Sequence, residues 1–541
     1  MMLALAALTL SVLGSVIHHD FINYDDDRYI VKNPYLYDGV SWKGIRWALE
    51  ADLTHPSAYV DYWQPVTLLS RMADVGLFGL NAHGHHAVSL ALHLFNVILI
   101  FELLWSLTGA FGRSAVVAGL FAIHPLVIEA VAWATARKDL LCLLFGLLTL
   151  KAYSENSRLA LFLFLLSLLS KPMLVTMPLL LVLWNVWPLN RFQREKLLKT
   201  WPFWILSVIF SIIPFIGQPR ALHVLPTEVL LANIPLRYAA YLRKFFYPAD
   251  LAIYCPPLQI HLIFGWWFSA GVILGTLSLF VILKAKKYPY LFTGWFWFLL
   301  TLLPTLGSDR FEDRFMYVPI IGLLIAIVWG VGDFLSNFRS RKILAALCAL
   351  VFFGILTPLG MAQMGYWQNS FTVFERSLQV NPINFMAQNQ ICAAWLDRHS
   401  PRKAASHCQE ALKLNPGSPQ VHYNLALAME GLGKTEEAIQ HYEKALQIDP
   451  KHFQAHSNLG VLLTQRGRWD EASQHLSEAV RINSDSGEIH VNLANVLLKE
   501  GKTKDAILQY KEALRLKPDS PAMQRFVGDL ESAQKIGHAK N

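Results

Sequence analysis

The stretch GSPQVHYNLALAMEGLGKTEEAIQHYEKALQIDP (417–450) is one period of a pattern that governs the last third of the chain. The pairs Asn381-Pro382, Asn415-Pro416, Asp449-Pro450, Asn483-Ser484 and Lys517-Pro518 recur 34 residues apart, and only Ser484 breaks the proline column. Other columns keep the same period: Ala404, Ala438, Ala472 and Ala506; Ala411, Ala445, Ala479 and Ala513; Leu425, Leu459 and Leu493; Gly433, Gly467 and Gly501. Small residues at fixed points of such a period predict two closely packed helices per repeat. The proline ends the second helix, having no N–H to donate and a ring that clashes with the preceding turn. Four repeats from about 385, a half-repeat over 367–382 and a terminal helix after 519 would stack into a short superhelix with a concave groove.

Upstream of the repeats the composition reverses. The chain has 541 residues, 54% hydrophobic and 16% charged, with a mean hydropathy of +0.34. A soluble domain averages about 25% charged residues, so a single soluble globule is excluded, as is a disordered chain. The apolar excess fills residues 1–362, which predicts an all-α chain in two domains: a polytopic membrane bundle over 1–362 and a repeat domain over 363–541. Eleven apolar runs approach the length needed to cross about 30 Å of hydrocarbon: 2–18, 86–106, 112–131, 139–153, 158–170, 173–188, 201–217, 262–284, 290–306, 314–335 and 343–362. The first lacks a basic leader and a small-residue cleavage site and reads as a retained anchor.

Loop charges orient the bundle. With the N-terminus in the cytoplasm, RFQREKLLK (191–199), KAKK (284–287) and RSRK (339–342) all fall inside, as the positive-inside rule requires. Residues 218–261 then stay outside, with RYAAYLRKFF (237–246) as an interfacial helix, and the repeats are extracytoplasmic. The net charge of +8 is largely explained by these loops, and no nucleic-acid partner is expected. The five cysteines (142, 255, 348, 392, 408) form no CxxC pair and no evident disulfide framework, so they assign no redox compartment.

The outer side collects polar groups. NYDDDRYIVKNPYL (23–36) holds three consecutive carboxylates, Asp25, Asp26 and Asp27, which repel one another and raise at least one pKa. One of them could act as a general base; a solvated acidic turn or a cation site are the other readings. Arg137, Lys138, Lys171 and Arg314 lie at outer span ends, where cations either meet a phosphate or snorkel. Glu129, close after His124, either orients the reacting groups or pairs with Arg137, and Asp313 is expected to pair with Arg314. Tyr62, Trp63 and Gln64 either shape a pocket or anchor at the interface. The cluster His83, His85, His86 and His93, near His18 and His19, could in principle hold zinc, but no HExxH pattern accompanies it. There is no GxGxxG or P-loop for a nucleotide.

The 34-residue pattern resembles tetratricopeptide repeats, which bind peptides and proteins. Asn424, Asn458 and Asn492 share one point of successive repeats. An amide both donates and accepts, and this column is similar to the asparagine ladder with which O-linked N-acetylglucosamine transferase grips an extended peptide. An acidic pair just after the first span looks like the signature of GT-C membrane glycosyltransferases. NYDDDRYIVKN (23–33), YWQPVTLLS (62–70), HHAVSLALHLFN (85–96), HPLVIEAVAW with RKDLL (124–141), SKPMLVTMPLLL (170–181) and DRFMYVPIIG (313–322), with repeats after the last span, resemble the transmembrane-and-tetratricopeptide O-mannosyltransferases and their bacterial relatives.

That resemblance implies an inverting, metal-independent transfer of a hexose, mannose in the family, from a polyprenyl-phosphate carrier to Ser or Thr of a protein. By position in the motif Asp25 matches the base and Asp26 the second acidic residue; Arg137, Lys138, Lys171 and Arg314 become candidates for the donor phosphate. Tyr62, Trp63, Gln64, His124 and Glu129 become candidates for the acceptor pocket, and Asn424, Asn458 and Asn492 for the peptide groove. No cofactor is expected beyond the lipid-linked sugar itself; acceptor polypeptides and membrane lipids are the other partners. The short repeat array and the near-terminal first span suggest a bacterial inner-membrane protein with extracytoplasmic repeats, or else an ER protein with lumenal repeats. A non-enzymatic scaffold and a ligase or flippase of lipid-linked glycans are the competing functions.

Overall fold

A computed structural model describes residues 1–51, 53, 59, 62–217, 227–253, 266–306, 311–516 and 520–539. The start of the run 262–284, part of the loop 307–313 and the Lys517-Pro518 pair lie outside these residues. Among the described residues every regular element is helical. The chain divides into two compact units, Met1–Pro382 and Ile383–Asn541.

In the first unit the helices run α1 (Met2–Leu13), α2 (Trp42–Glu50), α3 (Pro65–Phe78), α4 (Ala82–Thr108), α5 (Phe111–Ile123), α6 (Pro125–Ala132), α7 (Arg137–Ser154), α8 (Leu159–Ser170), α9 (Met177–Val186), α10 (Arg194–Leu198), α11 (Trp201–Gly217), α12 (Thr227–Phe246), α13 (Trp266–Lys284), α14 (Pro289–Leu302), α15 (Ile320–Leu335), α16 (Arg341–Gly365) and α17 (Ser370–Val380). Four stretches of described helix, Ala82–Thr108, Arg194–Ile213, Trp266–Lys284 and Arg341–Gly365, are long and apolar enough to cross a membrane. A fifth span arises if α5 and α6, bent by 57° at Pro125, count as one. Of the other runs, 2–18, 158–170, 173–188 and 314–335 form shorter apolar helices. Proline breaks several of them: Pro125 and Pro172 each begin a new helical segment, since an N–H-less residue fits only the first turn.

Close approach inside the bundle depends on glycine. A Cβ on Gly294 of α14 would sit 2.4 Å from the Gly322 carbonyl oxygen of α15, and one on Gly322 would meet Gly294 equally closely. The first long loop is a folded subdomain, with Tyr29, Ile30, Leu36, Ala48, Leu68 and Met72 in one buried cluster.

Two segments singled out in the sequence take the following places. The segment 237–246 belongs to α12, and its Arg237 and Lys244 are buried, bonded to the Thr305 carbonyl oxygen (3.2 Å) and to Asp313. The half-repeat 367–382 packs as α17 within the first unit: Ser377 donates to the Ile253 carbonyl oxygen (2.8 Å), and Ser370 Oγ accepts from the Asn23 N–H (2.9 Å).

The second unit consists of α18 (Phe385–Asp397), α19 (Pro401–Leu414), α20 (Pro419–Gly431), α21 (Thr435–Ile448), α22 (Phe453–Gln465), α23 (Trp469–Ile482), α24 (Gly487–Lys499), α25 (Thr503–Leu516) and α26 (Pro521–Ala539). The alanine columns are its buried core. Gly433, Gly467 and Gly501 hold φ of +72°, +74° and +78° between paired helices, a left-handed turn that a side chain would strain.

Candidate functional site

The three adjacent carboxylates have three different surroundings. Asp26 is wholly buried and accepts three hydrogen bonds: from the Thr135 N–H (2.8 Å), the Thr135 hydroxyl (2.5 Å) and the Ile22 N–H (3.0 Å). Burial pushes its carboxyl up to about 6, against the pull of these donors. Asp26 thereby staples the acidic loop to the turn Ala134–Ala136 that joins α6 and α7. Asp27 faces outward and pairs with Lys32 (2.7 Å). Asp25 is half-buried between them, with Lys138 and Arg314 within reach of its charge.

Three of the four predicted cations gather opposite this loop, close enough for Lys138 to feel the charges of both Lys171 and Arg314. Lys138, 4% exposed, lies against the rings of Tyr29 (5.7 Å) and Tyr62 (5.2 Å). Lys171 pairs with Asp139 (2.5 Å) and lies 5.2 Å from the Phe315 ring. Arg314 stacks on Trp133 at 4.3 Å and pairs with Glu312 (2.5 Å), with Nη1 3.9 Å from Glu129. Arg137 turns away: it pairs with Asp74 and donates to the His85 carbonyl oxygen (2.6 Å). The expected Asp313–Arg314 pair does not form, because Asp313 is taken by Lys244 and the Ala252 N–H (3.2 Å). Glu129 likewise has Arg314, not Arg137, as its ion partner, and also accepts from the Arg314 N–H (3.3 Å).

Among the described residues, several buried polar atoms beside these cations have no hydrogen-bond partner. They include both amide atoms of Gln64, Nε and Nη1 of Arg71, Nε1 of Trp133, Oε1 of Glu129, Oδ2 of Asp139, and Nε and Nη1 of Arg314. An unmade bond on a buried polar group costs roughly 1–3 kcal/mol, so these atoms are ones that a polar ligand or water can bond. Two predicted pocket residues serve the scaffold. His124 caps α6 through Nδ1 (Leu126 N–H, 3.2 Å), while its Nε2 is 3.2 Å from the Phe245 carbonyl oxygen. Trp63 donates to the Leu49 carbonyl oxygen (2.9 Å) and stacks on Phe210.

Sequence reasoning missed Arg71, Thr135 and Asp74. Arg71 is completely buried, bonds the Thr135 carbonyl oxygen (2.8 Å) and approaches the Tyr29 ring (5.5 Å). Its signal was present, as an arginine in an apolar helix directly after YWQPVTLLS. The histidines go to separate partners: His85 to Asp74 (3.3 Å) and the Gly79 carbonyl oxygen, His86 to the Asp20 carbonyl oxygen, His93 to Tyr317 (2.8 Å). Among the described residues no group of three or more His, Cys, Asp or Glu is placed to hold a metal.

In the second unit the asparagine column is partly engaged. Asn424 donates to Asn389 (2.9 Å) and accepts from Gln420 (3.2 Å), Asn458 donates to Tyr423 (3.2 Å) and Tyr442 (3.4 Å), and Asn492 is half-buried. A second column was not anticipated. His422 faces His441 through their Nδ1 atoms (3.2 Å), and His456 faces His475 in the same way (2.9 Å). His422 Nε2 donates to the Pro416 carbonyl oxygen (3.1 Å), which leaves Nδ1 as acceptor and requires His441 to be the donor. Each pair thus holds one hydrogen bond only while it is not doubly protonated. Burial lowers the pKa of His422, His441 and His475. A folded pKa below the ordinary 6.5 keeps its stabilisation above that pH and loses it as pH falls. Amide exchange of α20–α23 in the full chain, corrected for intrinsic rates, should therefore quicken between pH 7.5 and 5.5, by up to about tenfold for each depressed histidine. Unchanged protection would dismiss the pairs as pH-sensitive.

Cys392 and Cys408 form a disulfide between α18 and α19, with Cα atoms 5.4 Å apart. The sequence shows no evident disulfide framework because antiparallel helices bring residues 16 apart face to face, which spacing alone does not reveal. Reduction, or Cys392→Ser, should destabilise the first repeat by about 3 kcal/mol, as expected for a loop of about 15 residues. Denaturant unfolding with and without reductant measures this.

Tetratricopeptide repeat families match residues 394–453, 430–485 and 463–530. The second unit is a tetratricopeptide repeat array, and the first is a membrane helix bundle. Among curated relatives, mouse protein O-mannosyl-transferase TMTC1 is 31% identical over 159 residues, 28% of this chain and 16% of that protein. Human protein O-mannosyl-transferase TMTC4 is 23% identical over 460 residues, 68% of this chain and 60% of that protein. The chain thus spans less than two thirds of the length of either. Among solved structures, PilF of Pseudomonas aeruginosa is 19% identical over 34% of this chain and 80% of its own, with a TM-score of 0.29.

Proposed function

We propose that this chain is a membrane glycosyltransferase that moves a hexose, mannose by the names of its relatives, from a polyprenyl-phosphate carrier to a Ser or Thr hydroxyl. One observation carries this reading. Asp25, three buried cations and a set of unsatisfied buried polar groups converge on the ends of α6 and α7, a combination suited to a neutral sugar joined to an anionic leaving group.

The chemistry follows from the placement. The acceptor oxygen attacks the anomeric carbon as the bond from that carbon to the phosphate oxygen breaks. The electron pair leaves with the polyprenyl phosphate, and the hydroxyl proton passes to the Asp25 carboxylate. Lys138, Lys171 and Arg314 meet the growing phosphate charge, an electrostatic contribution magnified by burial. Arg71 joins this group through its unbonded Nε and Nη1. Gln64 and Glu129 offer unbonded amide and carboxylate atoms to sugar hydroxyls or to the acceptor. Asp26 acts on the reaction by holding the loop that carries Asp25.

The tetratricopeptide array would bind the acceptor polypeptide, with Asn492 and the free acceptor positions of the column available to a peptide backbone. The disulfide supports an extracytoplasmic array, since such bonds persist in oxidising compartments; so do the basic loops assigned to the cytoplasm. The test is transfer from labelled polyprenyl-phosphate-mannose to a Ser/Thr-rich peptide by the full chain in detergent. Label on the peptide, released by β-elimination, supports the reading. No transfer from any of several lipid-linked hexoses, by protein whose array still binds the peptide, refutes it in favour of a scaffold.

A further inference from the structure

A cavity of about 650 Å³ in the first unit is separate from the acidic loop and the cations opposite it. It runs between α5, α15 and α16, and its walls are aliphatic and aromatic, including Val116, Leu324, Val328 and Phe352. The far end is capped by His124 and Phe245. Arg113, Arg341 and Lys342 stand at the other end. Arg113 is neutralised by Asp333 (2.8 Å). Arg341 and Lys342 are exposed and make no ion pair among the described residues, so this end carries two uncompensated positive charges. The α16 wall is almost unburied along its apolar length, with Ile343, Leu347, Leu350 and Ile355 all exposed. The groove is therefore open to the hydrocarbon of the bilayer.

We infer that this groove is a binding site for an anionic membrane phospholipid, with one acyl chain between α15 and α16 and the phosphate at Arg341 and Lys342. Its dimensions and charge agree. From Arg113 to His124 the α5 wall rises about 16 Å at 1.5 Å per residue, roughly half of a 30 Å hydrocarbon core and so one leaflet. The basic end belongs to the short loop RSRK (339–342), which the positive-inside rule assigns to the cytoplasm. A headgroup there lies on the side opposite to the acidic loop. The occupant is accordingly a resident lipid of the cytoplasmic leaflet and not the sugar carrier, whose phosphate the cations near Asp25 would hold. The inference stands whether or not the chain transfers sugar.

The experiment is native mass spectrometry of the full chain from nanodiscs of equal phosphatidylglycerol and phosphatidylcholine. Wild type should retain phosphatidylglycerol over phosphatidylcholine by about tenfold or more, as two cations beside an anionic headgroup would produce. Arg341→Ala with Lys342→Ala should bring that ratio close to one. Ala349→Trp, which fills the groove from α16, should lower retention of both lipids while keeping the two cations. A wild-type ratio near one, a ratio that survives the double substitution, retention unaffected by Ala349→Trp, or displacement of phosphatidylglycerol by added polyprenyl phosphate would each overturn the inference.

Discussion

Asp25→Asn should lower sugar transfer by about 10²–10⁴-fold, the usual range for a general base, with the unfolding midpoint unchanged. The side chain keeps its size and its half-exposed position, and only the ability to accept a proton is lost. Asp26→Asn should behave differently. The Asp26 carboxylate accepts from three donors and donates to none, so an amide NH₂ placed there faces N–H groups with nothing to give them. The variant should lose stability, and its transfer should fall because the loop carrying Asp25 is released from Thr135. Rates per folded molecule, measured beside thermal unfolding in the same detergent, separate the two cases. If Asp25→Asn retains full transfer, the base lies elsewhere.

Asp74→Ala should cost about 3–5 kcal/mol of stability, the usual penalty for stranding one partner of a buried ion pair. Arg137 is 1% exposed, and Asp74 is the one carboxylate in ion-pair contact with it among the described residues. Replacing both residues, Asp74→Ala with Arg137→Met, should recover most of the loss, since no uncompensated charge then remains. The same pair of variants tests whether Arg137 touches the donor. The geometry expects transfer per folded molecule to survive Arg137→Met and to fall sharply in Lys138→Met. Equal losses would return Arg137 to the phosphate site.

Chain order made the broad outline legible. A 34-residue period, sustained in four columns, is hard to satisfy except by stacked helix pairs. Apolar runs of span length cannot be buried in a soluble domain that also carries so few charges. Asp25, Glu129, Lys138, Lys171 and Arg314 were legible as charged residues beside apolar runs, where a charge either serves a site or snorkels. Less legible were the short, proline-broken helices, whose hydropathy resembles that of full spans.

What the sequence determined by itself is the kind of molecule: a helical membrane bundle joined to a repeat array. Only the tertiary structure decided which of several identical groups does what. Asp25, Asp26 and Asp27 have the same chemistry and adjacent positions, yet one turn of backbone sends them to a cation cluster, to Thr135 and to Lys32. Arg137 and Lys138 are neighbours, but consecutive residues on a helix point about 100° apart, and Asp74 awaits only the first. Cys392 and Cys408 become a pair, and His422 and His441 a column, because antiparallel helices bring distant positions into contact. Residue type and spacing define the available chemistry; side-chain direction and the neighbour met across the fold assign it.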